Sequence, residues 1–371
     1  MNMRKRVREL EDAMISTCDV AQHVTRDVKN LSTSIGEWSV QCFVTQLENS
    51  QNKPNLLLLH GTMSSSLFFM SMFGKLCSTF NVYAIDVPGF GVSTAPPRLA
   101  NLPPHLAMDA YVELLNEWLK SMKLGKVFVA GHSFGAYIGA AFAYARPELV
   151  SQLLILDCPG LFPFLGDYGA YWGSLFKSRQ PQQTCRFFSS AGYFMVNQCS
   201  SSIEAKYSYA VLALPKGYGD RVLANHISVG FGGVFWKTPV MHKLLSLKVP
   251  FRILWGDEDE ILPVAHADFF CKIAGDGFLH RVGGASHVGV VRGDDGQAMA
   301  DTILSMLQSP KRVDVSTRLI RYVQASKLMA NPESFKCPFI ISRARKMIKT
   351  SLEAFLAEFG SIVDSEIDIA M

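Results

Sequence analysis

Short apolar runs alternate with amphipathic stretches along the middle of the chain. WSVQCFVTQL (38–47) alternates between apolar and polar positions, which predicts a strand with one buried face. NLLLLHG (55–61) and FNVYAIDVPGFG (80–91) carry continuous apolar runs, which predict strands buried on both faces. AMDAYVELLNEWLKSMKL (107–124) has apolar residues at three- and four-residue steps and is followed by Gly125, so it predicts a helix.

The same alternation continues to about residue 308. The further predicted strands are VFVAG (127–131), LLILD (153–157), FRILWGD (251–257) and FLHRVGG (278–284). One predicted helix follows VFVAG and ends near Arg146, and another spans about 294–308. Strands that alternate with helices predict an α/β fold with a mostly parallel central sheet flanked by helices. Sites in such folds lie at the carboxyl ends of the strands.

Three segments lie outside this alternation. Residues 4–30 have helical spacing without a strong apolar stripe, so we predict an N-terminal helix within residues 1–35. The aromatic-rich segment 158–245 interrupts the alternation between strands 6 and 7, which predicts a cap inserted over the site. The alternative is a set of extra core helices that do not contact a substrate. The remaining ranges, 36–157 and 246–309, would form the core.

Residues 310–371 are predicted to form a helical C-terminal extension. Its segment SRARKMIKTSLEAFLAEFG (342–360) is amphipathic and begins with basic residues. Such a helix can lie on a membrane surface, although docking onto the protein's own surface is favoured. We expect any contact with a membrane or a lipid droplet to be peripheral.

Composition and charge narrow the possible functions. Apolar residues make up 49% of the chain and charged residues 18%, as in an ordinary folded protein. The net charge of +4 is mild and the basic residues are scattered, which argues against a nucleic-acid partner. None of the eight cysteines forms a C-x-x-C pair, so neither a zinc ribbon nor a thioredoxin-like site is predicted. We predict no metal and no cofactor.

The first residues bear on location. MNMRKRVRELEDAM begins with basic residues but reaches Glu9, Glu11 and Asp12 without the apolar stretch of a secretory signal. We therefore expect an intracellular protein, cytoplasmic or peripherally associated with a membrane, and leave a mitochondrial presequence open. The oligomeric state is left open too.

The uncharged stretch VFVAGHSFGAYIGAAFAYA (127–145) has two interpretations. By hydropathy it could span a membrane, with Gly131, Gly135 and Gly139 as a dimerisation face. By motif its centre, GHSFG, is a G-x-S-x-G nucleophile elbow between a buried strand and a helix of small residues. We favour the second interpretation, which predicts Ser133 as the nucleophile.

A serine nucleophile needs a base, an acid that orients the base, and donors for the oxyanion. His287, in the small-residue loop after the last predicted strand, is the predicted base. Asp259 is favoured as the acid over Asp257 because it lies farther into the loop after its strand, and Asp157 is a third choice. The oxyanion donors are predicted to be the amides of Phe134 and of Thr62, with Met63 as second candidate for the latter.

Substrate contacts are the least specific of these predictions. The candidates are His60, beside the oxyanion loop, and Phe162 and Trp172 in the predicted cap. For His60, a structural role in the turn after its strand is the favoured alternative.

Together these segments resemble a known family. HGT (60–62), DVPGFGVS (86–93), GHSFG (131–135), GDEDEILP (256–263) and GASH (284–287) occur in the order found in the α/β-hydrolase superfamily. The resemblance covers about residues 55–308 and implies an α/β-hydrolase fold, with Ser133, Asp259 and His287 at its triad positions.

A narrower resemblance concerns lipid metabolism. VYAIDVPGFGVS (82–93) and the segment from Lys123 to Pro163 are similar to an abhydrolase subfamily of N-acyl-phospholipid lipases, cardiolipin deacylases and lipase coactivators. Many members carry an H-x-x-x-x-D motif at the last histidine, whereas Arg292 stands at the aspartate position here. The resemblance implies a serine hydrolase that cleaves carboxylic esters, in particular acyl lipids. The alternatives are a non-enzymatic lipid-binding or lipase-regulating protein and an acyltransferase of the same fold.

Overall fold

The strands of this chain form one central sheet. The computed structural model describes residues 3–47, 50–62, 64–102, 104–161, 202–212, 214, 240–292 and 296–313. Within these residues the strands are β1 (Val24–Thr33), β2 (Gly36–Thr45), β3 (Asn55–Leu59), β4 (Asn81–Ile85), β5 (Val127–His132), β6 (Val150–Leu156), β7 (Phe251–Gly256) and β8 (Leu279–Val282).

The strand order is β1-β2-β4-β3-β5-β6-β7-β8. β1 and β2 are antiparallel to their neighbours, whereas all pairs from β4 to β8 are parallel. The carboxyl ends of six strands therefore meet at one edge of the sheet. The residues directly after these ends carry the candidate chemistry, so the sheet confirms the predicted α/β fold and explains why distant parts of the sequence share one site.

Helices connect and flank these strands. They are α1 (Met3–Ile15), α2 (Phe73–Leu76), α3 (Pro104–Ser121), α4 (Phe134–Ala145), α5 (Ser202–Leu212), α6 (Met241–Leu245), α7 (Ala265–Ala274), α8 (Gly289–Arg292) and α9 (Gly296–Gln308). Short 3-10 helices span Ala21–His23, Ser50–Asn52, Ser66–Met72, Leu99–Asn101 and Pro147–Leu149.

Apolar side chains on the two faces of the sheet belong to two separate core clusters. In β3, Leu57 and Leu59 join a cluster that includes residues of α3, α4, α6 and α7. Leu56 and Leu58 point the other way and join a cluster that includes residues of α1, α2, α5, α8 and α9. This strand is therefore buried on both faces, as its continuous apolar run predicts.

The predicted N-terminal helix over residues 4–30 is wrong in its second half. α1 ends at Ile15, and Val24–Thr33 forms β1, which pairs with β2 through a tight connection at Thr33 and Gly36. β1 has no buried residue and alternates between exposed and half-buried positions. Because β1 has no buried face, its sequence has no apolar stripe that would distinguish an edge strand from a solvated helix.

The stretch 127–145 divides as the motif predicts, into β5 and α4 with Ser133 between them. In the described part of the chain, no helix combines the length and the apolarity needed to cross a bilayer.

The predicted insertion lies between β6 and β7, and its described parts include α5 and α6. Phe162, Trp172 and most of the predicted cap lie outside the described residues, as does the predicted C-terminal extension beyond residue 313. The cap and the extension therefore stay predictions.

Candidate active site

Ser133 occupies a strained turn between β5 and α4. Its φ is 52° and its ψ is −119°, a backbone conformation that non-glycine residues rarely adopt. The Ser133 amide donates a 2.9 Å hydrogen bond to the carbonyl of Leu156 in the neighbouring β6. The strain is therefore held by backbone contacts on both sides of the turn, as expected of a nucleophile elbow.

Close packing explains the glycines on either side of Ser133. A Cβ added at Gly131 would lie 2.5 Å from the carbonyl oxygen of Gly135. A Cβ added at Gly135 would overlap the backbone at Leu59, at the end of β3. Gly139 is less restricted, since a Cβ there would meet only side-chain atoms, at 3.2 Å and beyond.

His287 and Asp259 meet in a buried pair. The Nδ1 atom of His287 lies 2.7 Å from Oδ2 of Asp259. Oδ1 of Asp259 accepts hydrogen bonds from the amides of Ile261 at 2.8 Å and Leu262 at 2.6 Å. Because one carboxylate oxygen is occupied by the loop backbone, the other is held towards the imidazole. Of the three aspartates weighed in the sequence, Asp259 is therefore the one that pairs with Nδ1 of His287.

Asp257 has different surroundings. Its Oδ1 accepts a hydrogen bond from Arg281 at 3.4 Å, and its side chain is 38% exposed. The Asp257 side chain therefore points to solvent, whereas Asp259, two residues later, contacts the imidazole of His287.

The electrostatics around His287 favour its protonated form. Burial would lower the pKa of His287, but the charge and hydrogen bond of Asp259, together with the charge of Glu260, raise it above its ordinary value. Glu260 also contacts the backbone of this loop, since the amide of His287 donates to its Oε2 at 3.2 Å. Two carboxylates thus face this imidazole.

A hydrogen bond joins the loop of His287 to the elbow. Nε2 of His132 donates to the carbonyl of His287 at 2.8 Å, and the two imidazole rings lie 4.8 Å apart. Phe68 packs on the other side, with its ring 5.7 Å from that of His132. The residue before Ser133 therefore positions the backbone of the candidate base.

The loop after β3 approaches the elbow closely. A Cβ added at Gly61 would lie 3.0 Å from both Nδ1 of His132 and Cβ of Ser133. Thr62 follows and is partly exposed, whereas Met63 lies outside the described residues. Phe134 is the first residue of α4, so its amide lies at the positive end of that helix. Both predicted donor segments thus flank Ser133, and the oxyanion assignment of their amides stays a prediction.

His60 joins the ends of two strands of the sheet. It is fully buried, its Nδ1 donates to the carbonyl of Gly61 at 2.7 Å, and its Nε2 accepts from the amide of Val87 at 3.0 Å. These bonds join the end of β3 to the end of β4. These bonds favour the structural alternative for His60, and its contact with a substrate stays a prediction.

Asp86, directly after β4, anchors the far end of the loop after β3. Its Oδ1 accepts from the amide of Ser66 at 2.7 Å and from the hydroxyl of Ser66 at 2.6 Å. Its Oδ2 accepts from the amide of Val92 at 2.7 Å and from Nε2 of Gln41 at 3.5 Å. Tyr207 of α5 donates to the hydroxyl of Ser65 at 2.9 Å, so α5 contacts the same loop.

We predict that Asp86→Asn destabilises the fold by about 2 kcal/mol, because an amide NH₂ would face groups that are all donors. The free energy of urea unfolding measures the effect. Asp109→Asn, at an exposed position of α3, is the matched control. A loss below about 0.5 kcal/mol, the range of ordinary surface substitutions, would contradict the anchoring role.

One group of side chains is close enough to be considered as metal ligands. In the described ranges, a ring nitrogen of His132, a carboxylate oxygen of Asp157 and a ring nitrogen of His287 all lie within 4.8 Å of one another. Each already has a hydrogen-bonding role, with Gly256 donating to Asp157 at 3.0 Å. We therefore assign these residues to the surroundings of the imidazole and not to a metal centre.

Several residues of this region were not singled out from the sequence. Glu260 is one of four carboxylates in GDEDEILP and carries no pattern that distinguishes it. His132 directly precedes Ser133 and carries no pattern of its own. Its position in the elbow motif is the signal that could have placed it against the loop of the base.

The chain is similar in sequence to proteins that carry acyltransferase names. The chain is 26% identical over 243 residues to a probable 1-acylglycerol-3-phosphate O-acyltransferase of Oryza sativa subsp. japonica, covering 57% of each chain. It is 33% identical over 115 residues to the human 1-acylglycerol-3-phosphate O-acyltransferase ABHD5, covering 31% of this chain and 32% of that one. The chain thus spans less than two thirds of the length of these relatives.

Solved structures share the fold at low identity. A bacterial membrane phospholipase A has a TM-score of 0.61 at 18% identity, covering 82% of this chain and 90% of that one. The carboxylesterase CesB of Bacillus subtilis has a TM-score of 0.62 at 17% identity, covering 83% of this chain and 99% of that one. The family model for the alpha/beta hydrolase fold matches residues 54–294, well over half of the chain. With the sheet order and the elbow described above, this match establishes that the chain belongs to the alpha/beta hydrolase fold family.

Proposed function

We propose that this protein is a serine hydrolase that cleaves carboxylic esters of acyl lipids through an acyl-enzyme on Ser133. The observation that carries the proposal is the buried 2.7 Å contact between His287 and Asp259 next to the serine elbow. Such a pair supplies what a serine hydroxyl needs in order to react, namely a base held in one orientation and tautomer.

In this mechanism, Nε2 of His287 takes the proton of Ser133 as its Oγ attacks the ester carbonyl. Asp259 accepts the hydrogen bond of Nδ1 and stabilises the imidazolium that forms. The amides of Phe134 and of Thr62 or Met63 receive the oxyanion. The tetrahedral intermediate then releases the alcohol, which takes the proton from His287. Water, activated by the same imidazole, hydrolyses the acyl-enzyme and regenerates Ser133.

Two observations support a lipid substrate. The rice and human relatives carry names that refer to an acylated glycerol phosphate. The segment predicted to form the cap is rich in aromatic residues, which suits an apolar ester. The same relatives also favour a second candidate, transfer of an acyl group to 1-acylglycerol 3-phosphate. In that reaction the acceptor hydroxyl replaces water in the second half of the mechanism.

The first experiment is labelling of the folded protein with a fluorophosphonate probe, followed by mass spectrometry. We expect one adduct, on Ser133, which is lost in Ser133→Ala and kept in Ser78→Ala, a change at an exposed serine. No adduct on the folded wild type would contradict the enzymatic proposal and favour a non-enzymatic, regulatory protein.

The second experiment defines the acyl group and the acceptor. Purified protein is assayed with esters of graded chain length, with and without 1-acylglycerol 3-phosphate as acceptor. We expect hydrolysis of long-chain esters that depends on Ser133. Activity that peaks at acetyl esters and is absent at octanoyl esters would contradict the lipid substrate. An acylated glycerophosphate product in place of free acid would establish the acyltransferase instead.

A further inference from the structure

Asp157 lies at the carboxyl end of β6 in an unusual conformation. Its φ is 44°, in the left-handed region that favours glycine, and its side chain is fully buried. Its Oδ1 accepts a 3.0 Å hydrogen bond from the amide of Gly256, the last residue of β7. The carboxyl group is thus fixed between the end of β6 and the end of β7, the strand that precedes the candidate acid.

The other oxygen of this carboxyl has no donor. In the part of the chain that the structure describes, no N–H or O–H group reaches Oδ2 of Asp157. The Asp157 carboxyl instead lies within hydrogen-bonding reach of the carboxyl of Asp259. A buried carboxylate oxygen without a donor is unfavourable. The unfavourable state is relieved if this oxygen carries a proton, because its O–H group can then donate a hydrogen bond to a neighbouring carboxylate.

The groups around Asp157 oppose a second negative charge. Burial, and then the charges of Asp259 and Glu260, raise the pKa of Asp157 well above its ordinary value. The two imidazoles of the cluster, His132 and His287, face it from β5 and from the loop after β8. Nδ1 of His287 is paired with Asp259, and Nε2 of His132 donates to a carbonyl, a bond that a neutral ring can make.

Cys158, next in the chain, adds no charge either. It is fully buried, and burial raises the pKa of its thiol well above the ordinary value, followed by the effect of Asp157. The thiol therefore stays neutral beside the carboxyl at physiological pH.

We propose that Asp157 is a positioning residue for the reaction above, a neutral carboxylic acid whose O–H donates to Asp259 and holds that carboxylate on His287. The inference rests on the proposed function, because it assigns Asp259 to the imidazole of a working base. One carboxylate is then charged, and the second supplies a hydrogen bond without a further negative charge. Asp157 touches neither substrate nor reacting atoms, so it acts through Asp259.

The protonated state is tested first, by infrared spectroscopy of the folded wild type near pH 7. We expect a band of a protonated carboxylic acid that shifts when aspartate is labelled with ¹³C and does not shift when glutamate is labelled. The band should be lost in Asp157→Asn and kept in Ser133→Ala. No aspartate-dependent band in the wild type would overturn the proposal, and this measurement does not depend on whether any variant folds.

The positioning role is tested by kinetics with a matched pair of variants. Asn at position 157 keeps a neutral donor of the same size, whereas Leu removes it. We expect Asp157→Leu to have a kcat about tenfold or more below that of Asp157→Asn, with similar KM, because only Leu lets Asp259 lose its orientation. Equal kcat values for the two variants would overturn the positioning role.

The pH profile separates this role from a charge effect. The acidic limb of kcat/KM reports the base of the free enzyme. If Asp157 is neutral, the apparent pKa of this limb in Asp157→Asn stays within about 0.3 pH units of the wild-type value, because no charge is removed. A shift to lower pH by about one unit or more would mean that a negative charge was lost, and would overturn the proposal. Failure of the proposed function is a different result, namely wild-type protein without a probe adduct on Ser133.

Discussion

Asp259→Asn is expected to lower kcat about 10⁴-fold, the scale found when the acid of a serine triad is replaced by its amide. The surroundings of Asp259 dictate this loss. Two backbone amides, from Ile261 and Leu262, donate to Oδ1, so an Asn side chain would keep its carbonyl oxygen there. Its NH₂ group would then face Nδ1 of the imidazole. His287 would have to accept at Nδ1 and carry its proton on Nε2, the tautomer that cannot act as a base towards Ser133.

The matched control is Asp257→Asn, two residues away. Asp257 pairs at the surface with Arg281, and an exposed ion pair contributes little. We expect its kcat to stay within about twofold of the wild type. Steady-state kinetics of an ester substrate, with thermal unfolding as a check on folding, measure both variants. Equal losses in the two variants, or a kcat of Asp259→Asn above about a tenth of wild type, would contradict the assignment of the acid.

The central parallel strands follow from the hydrophobic pattern, and with them the edge of the sheet where the candidate site lies. Continuous apolar runs such as NLLLLHG can only be buried on both faces, so they predict central parallel strands. The carboxyl ends of parallel strands meet at one edge, which brings together Asp86, Ser133 and His287 from widely spaced parts of the chain. Local sequence therefore predicts both the fold and the residue that follows each strand.

Hydropathy does not decide which of two neighbouring carboxylates turns inward, and only its position farther into the loop favours Asp259. Asp257 and Asp259 are both small acids after the same strand, and hydropathy treats them alike. The turn decides between them, since the amide of Asp259 donates to the carbonyl of Gly256 at 3.2 Å and places its side chain among the loop amides. Such geometry depends on the backbone of several loops at once. β1 was missed for a related reason, because an edge strand with exposed charges has no buried face to reveal it.

Glu11 is a buried acid that the sequence hides within a charged helix. It lies on α1, among arginines and other acids, yet its side chain is fully buried. Its Oε1 accepts from Nε2 of Gln41 at 2.8 Å, and its Oε2 lies 3.0 Å from the guanidinium of Arg26. Burial and then the charge of Asp86 raise the pKa of Glu11 to about 7, although Gln41 and Arg26 act in the opposite direction.

This shift makes the stability of the fold depend on pH. In the unfolded chain, Glu11 has an ordinary pKa near 4.3, so between about pH 4.3 and 7 the folded protein holds one more proton than the unfolded protein. The stabilising effect of the proton is fully present below the unfolded pKa and is lost as the pH rises through the folded one. The free energy of unfolding should therefore fall by up to about 3 kcal/mol over this window from Glu11 alone.

Glu11→Gln removes this titration while keeping the shape of the side chain. We expect the variant to gain about 3 kcal/mol of stability relative to wild type between pH 4 and pH 8, measured as the free energy of urea unfolding at several pH values. Glu9→Gln, at an exposed position of the same helix, should give a curve parallel to wild type. If the Glu11→Gln curve is also parallel to the wild-type curve, Glu11 has an ordinary pKa in the folded protein. Its burial near Asp86 then does not destabilise the charged form. A difference that grows with pH in favour of Glu11→Gln would instead show that α1 docks onto the sheet through a protonated acid, so that raising the pH weakens the contact between α1 and the strand that carries Gln41.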